Sequence, residues 1–394
     1  MKLVVKNFGA IKKVNIQIKP LLLFIGQQGT GKSTLAKLIT IFYNKFYSNN
    51  DSFLLALKYY NIDYALNSKT YIYFEDEKRG LKFEYKNNEF SHQLPEKEEE
   101  KWQKIRESEN FDRDFNKTFS DVLLSIFDDL AGEFKHDFNS STNMTDMLFN
   151  SLVKDKTIYI PAERILISNI SEYLFELFKV KVDFPECFLD FGSKYVKARR
   201  ELKTLSIPFL NSVEYKYLNN TDLLMVKGNK NLRLTQSSSG MQSSIPLAVV
   251  IEYFSQNFNS LFTIEEPELN LFPSTQKKIV HFLSQFCLKN NNKLIVTTHS
   301  PYIITSFANL IQAGTTVKNN NELQKEMEKI IPQNQWINFN DVSAYFFDEK
   351  KGELIDILDK EFLTINGNAI DDVSDLIADE FEKIMDIKYK NSNE

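Results

Sequence analysis

Residues 24–39 read FIGQQGTGKSTLAKLI, directly after Leu21-Leu22-Leu23. The apolar run from Leu21 to Ile25 predicts a fully buried strand, and Gly26 to Ser33 fits the spacing G-x-x-x-x-G-K-[ST] without a gap before a helix begins near Lys32. Glycines at 26, 29 and 31 let the backbone curl so that several N–H groups point inward, and the helix adds the positive end of its dipole. A loop made of Gly26, Gln27, Gln28, Gly29, Thr30, Gly31, Lys32, Ser33 and Thr34 is therefore a cradle for a triphosphate, ATP or GTP. In such a cradle Lys32 is expected to reach the β and γ phosphates, and the Ser33 hydroxyl to ligate Mg²⁺.

A phosphate cradle hydrolyses nothing without carboxylates at the end of a neighbouring buried strand. LFTIEEPELNLFP supplies them: Leu261 to Ile264 is apolar, and Glu265 and Glu266 follow at its carboxyl end, where open α/β sheets place ligands. Glu265 is expected to hold Mg²⁺ through water and Glu266 to polarise the attacking water. A second buried strand, KLIVTTHS, ends in His299, placed to hydrogen-bond a γ-phosphate and sense its loss. In LTQSSSGMQSSIPL (234–247), serines and a glycine precede a helix whose first turn is expected to accept Pro246. Ser238, Ser239, Gly240 and Gln242 would form a second anion cradle, of use to a nucleotide held by another subunit.

Bulk properties fit a globular protein: 394 residues, 42% hydrophobic, 26% charged, with room for a large core or two domains. A net charge of -5 gives no global basic field for nucleic acid, so any DNA contact must be a local patch. Cys187 and Cys287 lack metal spacing and read as core residues in a reducing compartment. No window approaches a membrane span or a signal segment, which leads to the expectation of a cytoplasmic chain without membrane contact.

Residues 1–25 alternate like paired strands, and 71–85 read as a hairpin turned at Lys78-Arg79-Gly80. Glu96 to Phe115 is charge-dense, and the spacing of Val122, Leu123, Ile126, Phe127, Leu130 and Phe134 is helical. Leu166 to Val180 reads as an amphipathic helix, Val213 to Thr235 as a strand meander, and Lys194 to Lys203 as a basic helical face. These features divide the chain into 1–50 with 155–310 as the nucleotide-binding part, 51–154 as a charged, mostly helical insertion, and 311–394 as a helical and hairpin extension.

Taken in order, Gly26 to Ser33, YIPAER, SSGMQS, EEPELNLFP and TTHSPYII resemble the ABC-type ATPase head shared by SMC-like, RecF-like and OLD-family proteins. Within that group they look like the OLD-like AAA ATPases of bacterial defence systems, such as the Septu and PARIS ATPases. The resemblance implies an α/β P-loop NTPase of ABC-head type with an antiparallel β subdomain and a mainly helical insertion. It also implies a head-to-head homodimer, or a higher homo-oligomer, with ATP and Mg²⁺ at the interface. Ser239 and Gly240 would act in trans, Glu266 would be the catalytic base and His299 the switch histidine. The chain departs from the pattern at SSGMQ, at Glu265 where most such enzymes carry Asp, and at Phe272 where a histidine is common. No glutamine loop is assigned, and Glu163 and Arg164 in PAER are expected to serve near the site instead. The acidic cluster Asp371, Asp372 and Asp375 does not resemble the TOPRIM nuclease of OLD proteins, so a separate nuclease or toxin would be the effector.

Three functions follow as expectations. The first is a slowly hydrolysing ATPase acting as sensor and assembly core of an anti-phage complex. The second is a RecF- or SMC-like DNA-handling ATPase using Lys194, Lys197, Arg199 and Arg200. The third is an ATP-stabilised scaffold with negligible turnover.

Overall fold

The computed structural model describes residues 1–44, 47, 49–95, 157–170, 184–210, 213–226, 230–256, 259–349, 351–366 and 379–385. The expectations for 96–136, for the later part of 166–180 and for Asp371, Asp372 and Asp375 lie outside them.

The fold is α/β, as expected, around one eleven-stranded mixed sheet. β1 (Lys2–Phe8), β2 (Ile11–Gln17) and β3 (Leu21–Gly26) lead into α1 (Lys32–Asn44). After α2 (Asn50–Tyr59) come β4 (Tyr71–Asp76), β5 (Leu81–Lys86), β6 (Glu89–Gln93) and β7 (Thr157–Ile160). Next are α3 (Ile165–Ile170), α4 (Glu186–Leu202), β8 (Thr204–Ile207), β9 (Val213–Leu218), β10 (Thr221–Val226), β11 (Lys230–Arg233) and α5 (Ser239–Phe254). The chain continues through β12 (Leu261–Glu265), α6 (Pro273–Cys287), β13 (Lys293–Thr298), α7 (Pro301–Asn319) and α8 (Gln324–Ile330). It ends its described course with β14 (Val342–Asp348), β15 (Glu353–Asp356), β16 (Leu358–Asp359), β17 (Thr364–Ile365) and a short helical piece.

The main sheet runs β6-β5-β4-β1-β2-β15-β14-β3-β13-β12-β7. From β14 to β7 every pairing is parallel, and from β2 to β6 every pairing is antiparallel. The halves meet where β15 pairs with β2 through Glu353 and Lys13 alone. Covering on both faces explains why β3 is continuously apolar. Leu21, Leu23 and Ile25 enter the core under α3 to α7, whereas Leu22 and Phe24 enter the core shared by α1, α2 and the antiparallel strands. β8 to β11 form a separate four-stranded antiparallel sheet, and both cysteines are buried. No helix among the described residues is long and apolar enough to cross a membrane.

Two of the expected boundaries do not follow breaks in the sheet. The described part of 51–154 is one helix, a short 3₁₀ turn and three strands rather than mostly helix, and β4 pairs directly with β1. Its alternating burial, as in Tyr71–Asp76, is that of a half-covered antiparallel strand. The 311–394 segment is likewise no appendage, because β14 lies beside β3 near the middle of the sheet, in register from Val342 opposite Leu21 to Phe347 opposite Gly26.

Asn292 ties the end of α5 to the start of β12. Its buried side chain accepts from the Ser260 N–H at 2.8 Å and donates to the Ser255 carbonyl at 3.1 Å. Replacing Asn292 by leucine keeps the volume, orphans the Ser260 N–H and leaves the Ser255 carbonyl with only the 3.4 Å bond from Asn290, so unfolding free energy should fall by about 1–3 kcal/mol in a denaturant titration. An unchanged midpoint would show that this clamp carries no load.

Candidate functional site

The phosphate loop leaves β3 at Gly26 and enters α1 at Lys32. Gly31 has φ +101°, and a Cβ on it would sit 3.0 Å from Ile11 Cγ1, so only glycine keeps this turn packed on the antiparallel strands. Gln27, Gln28 and Gly29 are exposed while Thr30 and Lys32 are buried. The Lys32 ammonium donates to the loop's own carbonyls, to Gly26 at 2.9 Å and Gln27 at 2.5 Å, and it lies within the field of Glu266, Glu268 and Glu265. Burial outweighs those carboxylates and lowers its pKa to about 8.

Glu265 ends β12, buried opposite Thr297 in the parallel register. Burial raises its pKa, while Lys37 and hydrogen bonds from the Tyr159 and Ser33 hydroxyls oppose the rise. Its Oε1 is buried and has no hydrogen-bond partner. A serine hydroxyl beside a carboxylate with an unsatisfied oxygen is a hard-oxygen set, of the kind that shares Mg²⁺ with substrate phosphates. The residues present therefore fit the ion.

Glu266 departs from the strand with φ +44°, a left-handed conformation that a non-glycine residue holds only when its surroundings fix it. Its N–H donates to the Thr297 carbonyl at 2.9 Å, and its carbonyl accepts from Arg164 Nη2 at 2.7 Å. The turn separates the two carboxylates: Glu265 goes inward, and Glu266 stays partly exposed with Oε1 3.1 Å from His299 Nε2. Glu268 locks the other side, its Oε1 accepting from the Thr298 hydroxyl at 2.7 Å and from the His299 N–H at 2.8 Å. Burial raises the Glu268 pKa against these two donors.

Arg164, in the turn after β7, is completely buried and bonds only to backbone carbonyls. Nη1 donates to Pro161 at 3.0 Å and to Glu265 at 2.7 Å, Nη2 donates to Glu266, and Nε donates to Ser243 in α5 at 3.1 Å. Burial lowers its pKa to about 10, and Glu268, Glu266 and Glu265 hold it from falling further. One guanidinium thus joins β7, the acidic strand end and the serine-led helix. Arg164 and Glu268 are the residues whose importance the sequence reading understates; a charged pair immediately after the apolar strand TIYI is the signal for the first.

The serine-rich segment forms as expected at its start. Ser238 caps α5, its Oγ accepting from the Met241 N–H, and Ser238 and Ser239 are exposed. A Cβ on Gly240 would lie 2.7 Å from the Asn270 carbonyl, which presses this helix end against the loop after Glu266. Two details differ from expectation. The Gln242 amide is held internally, donating to the Thr235 and Ser237 carbonyls and accepting from Asn169. Pro246 sits inside α5 rather than in its first turn, so the Gln242 carbonyl has no proline N–H to accept from. The buried Ser168 hydroxyl supplies the missing donor at 2.7 Å.

The structure therefore gathers Lys32, Ser33, Glu265, Glu266 and His299 around one phosphate loop, whereas Ser238 and Ser239 face outward. The basic face expected on α4 is partly neutralised, since Lys194 is bonded to Asp190 and Arg199 is buried against Asp222 at 2.7 Å.

A family model described as an AAA ATPase domain matches residues 1–184 and 166–304. No curated protein matches the chain. Among solved structures, the SMC head domain from Thermotoga maritima is similar at 13% identity and TM-score 0.35, over 77% of this chain and 90% of that one. An Smc head domain with an extended coiled coil from Pyrococcus furiosus is similar at 11% identity and TM-score 0.36, over 90% and 95%. A dimeric bacterial ABC transporter cassette is similar at 12% identity and TM-score 0.33, over 89% and 96%.

Arg164→Lys keeps the charge and loses the fork. If nucleotide is hydrolysed here, kcat should fall by about 10–100-fold while the nucleotide Kd stays within about threefold. Equal losses in both would mean that Arg164 only stabilises the fold. Lys32 gives a pH signature, because phosphates bind its protonated form and that form is lost in the free protein above about pH 8. Triphosphate affinity should fall as pH rises from roughly 7 to 9.5, at most about tenfold per unit, with proton uptake on binding seen by calorimetry in buffers of different ionisation heat. A flat profile would place the triphosphate away from Lys32.

Proposed function

Since the chain belongs to the AAA ATPase domain family, we propose that it binds ATP at Gly26 to Ser33 and hydrolyses it to ADP and phosphate. The observation that carries this reading is the partly exposed Glu266 carboxylate, 3.1 Å from His299, at the end of the strand whose Glu265 meets Ser33. Glu266 takes a proton from the attacking water as the water oxygen bonds to the γ-phosphorus and the bond to the ADP oxygen breaks. Lys32 stabilises charge on the β and γ phosphates, and the loop N–H groups orient them. Ser33 and Glu265 would hold a magnesium ion, which when bound supplies further charge neutralisation there. His299 exchanges its bond to Glu266 for one to the γ-phosphate, so loss of that group is felt at the base.

The outward-facing Ser238 and Ser239 belong, on this proposal, over the γ-phosphate held by a second copy, which makes the working unit a homodimer. The motif run from YIPAER to TTHSPYII supports a place among defence ATPases, with turnover controlling a separate effector. A DNA-handling role is equally consistent with the family; of its four basic residues, Lys194 and Arg199 have acidic partners.

Glu266→Gln tests the proposal. Turnover should fall by about 10²–10⁴-fold while ATP is retained in a stable dimer, read by phosphate release and native mass. Hydrolysis at the wild-type rate would remove Glu266 as the base, an ATP-loaded monomer would remove the trans cradle, and ATP held with negligible turnover by wild type and variant alike would leave only the scaffold role standing.

A further inference from the structure

Behind the serine-led helix lies a cavity of about 380 Å³, formed where the end of α4 meets the small sheet and the turn after β11. Its charged lining is Arg199, Arg200 and Arg233 against the single carboxylate of Asp222. Both Asp222 oxygens are already engaged, one accepting from Arg199 at 2.7 Å and the other from the Tyr215 hydroxyl at 2.5 Å. Arg199 is fixed further by the Tyr195 and Tyr217 rings, whose centroids lie 5.2 Å and 4.7 Å away. The excess charge therefore rests on Arg200 and Arg233. Both are exposed, and neither makes an ion pair or side-chain hydrogen bond among the described residues. In a chain of net charge -5, two unpaired guanidiniums converging on one cavity are a local reversal of sign.

From this geometry we propose that the cavity is a binding site for a phosphate ester of nucleotide size, separate from the phosphate loop. The volume lies in the range of small-ligand sites, and planar guanidinium forks match phosphate oxygens two by two. The Arg199 and Asp222 pair forms a neutral floor, which leaves Arg200 and Arg233 to clamp the anion. The position of the site gives it an outlet. Ser168 and Thr235, which also line the cavity, hold the carbonyl and the amide of Gln242 in the first turn of α5. Arg233 directly precedes the turn Leu234–Gln236 that leads to Ser238. A phosphate drawing Arg200 and Arg233 together thus bears on the presentation of Ser238 and Ser239. This last step rests on the trans-cradle reading above; the binding itself does not.

The test uses the full chain carrying Lys32→Ala, which cripples the phosphate loop and removes turnover, so that a failure of the ATPase reading leaves the result interpretable. AMP, a short 5′-phosphorylated DNA strand and its unphosphorylated twin are titrated calorimetrically at low salt. Saturable binding of a phosphorylated probe is expected, weakened at least about tenfold by Arg200→Gln with Arg233→Gln, and unaffected by the equally charge-neutralising pair Lys78→Gln with Lys360→Gln. AMP binding would identify a free nucleotide as the source of the phosphate, and binding of the phosphorylated strand alone would identify a nucleic-acid end. Absence of binding by every probe, indifference to the arginine pair, or equal loss with the lysine pair would overturn the proposal. Circular dichroism and melting of each variant establish that the fold is retained.

Discussion

A single buried guanidinium holds the centre of this molecule together. Arg164 satisfies carbonyls from the turn after β7, from both carboxylate-bearing residues and from the helix that carries the serines. No carboxylate side chain competes for its fork, so the charge is spread over dipoles and steadied at longer range by Glu265, Glu266 and Glu268. The left-handed turn at Glu266 depends on this arrangement, because a strained backbone persists only when several bonds over-determine it. Movement of the serine-led helix cannot then be independent of the geometry at Glu266. On the proposed trans arrangement, such a link would let one nucleotide site register the state of the other.

Local chemistry was readable in the chain, and long-range neighbours were not. The strand, loop and helix around Gly26 to Ser33 follow from residues adjacent in sequence, as do the acidic end of β12 and the placement of His299 after β13. Glu268 escaped notice because nothing local distinguishes it from a solvated glutamate; its role comes from Thr298 and His299, thirty residues later in the chain. Pro246 misled for a similar reason. A proline suggests a first turn only if its missing donor is left unreplaced, and the replacement here is a hydroxyl from α3. The basic run on α4 looked uniform in sequence, yet folding divides it into members with and without acidic partners among the described residues.

The same limit governs the architecture. Antiparallel strands joined by tight turns, such as β4 to β6, announce themselves through turn residues and alternation. A parallel neighbour does not, because its partner lies across a long crossover. This is why β14, although recognisable as half of a hairpin, gave no sign that it belongs beside the phosphate-loop strand.

That placement has a consequence for how the protein is made. β3 is synthesised before both of its neighbours, β13 and β14, which are encoded only after residue 290. Until they arrive, the nascent chain carries a fully apolar strand with two open edges and a phosphate loop whose Gly26 lacks the Phe347 backbone beside it. Such distant pairings slow folding and prolong exposure of sticky edges. Nucleotide-binding competence is therefore a late event in the biogenesis of this chain, and a ribosome-bound fragment lacking β14 has neither the completed sheet nor a finished loop.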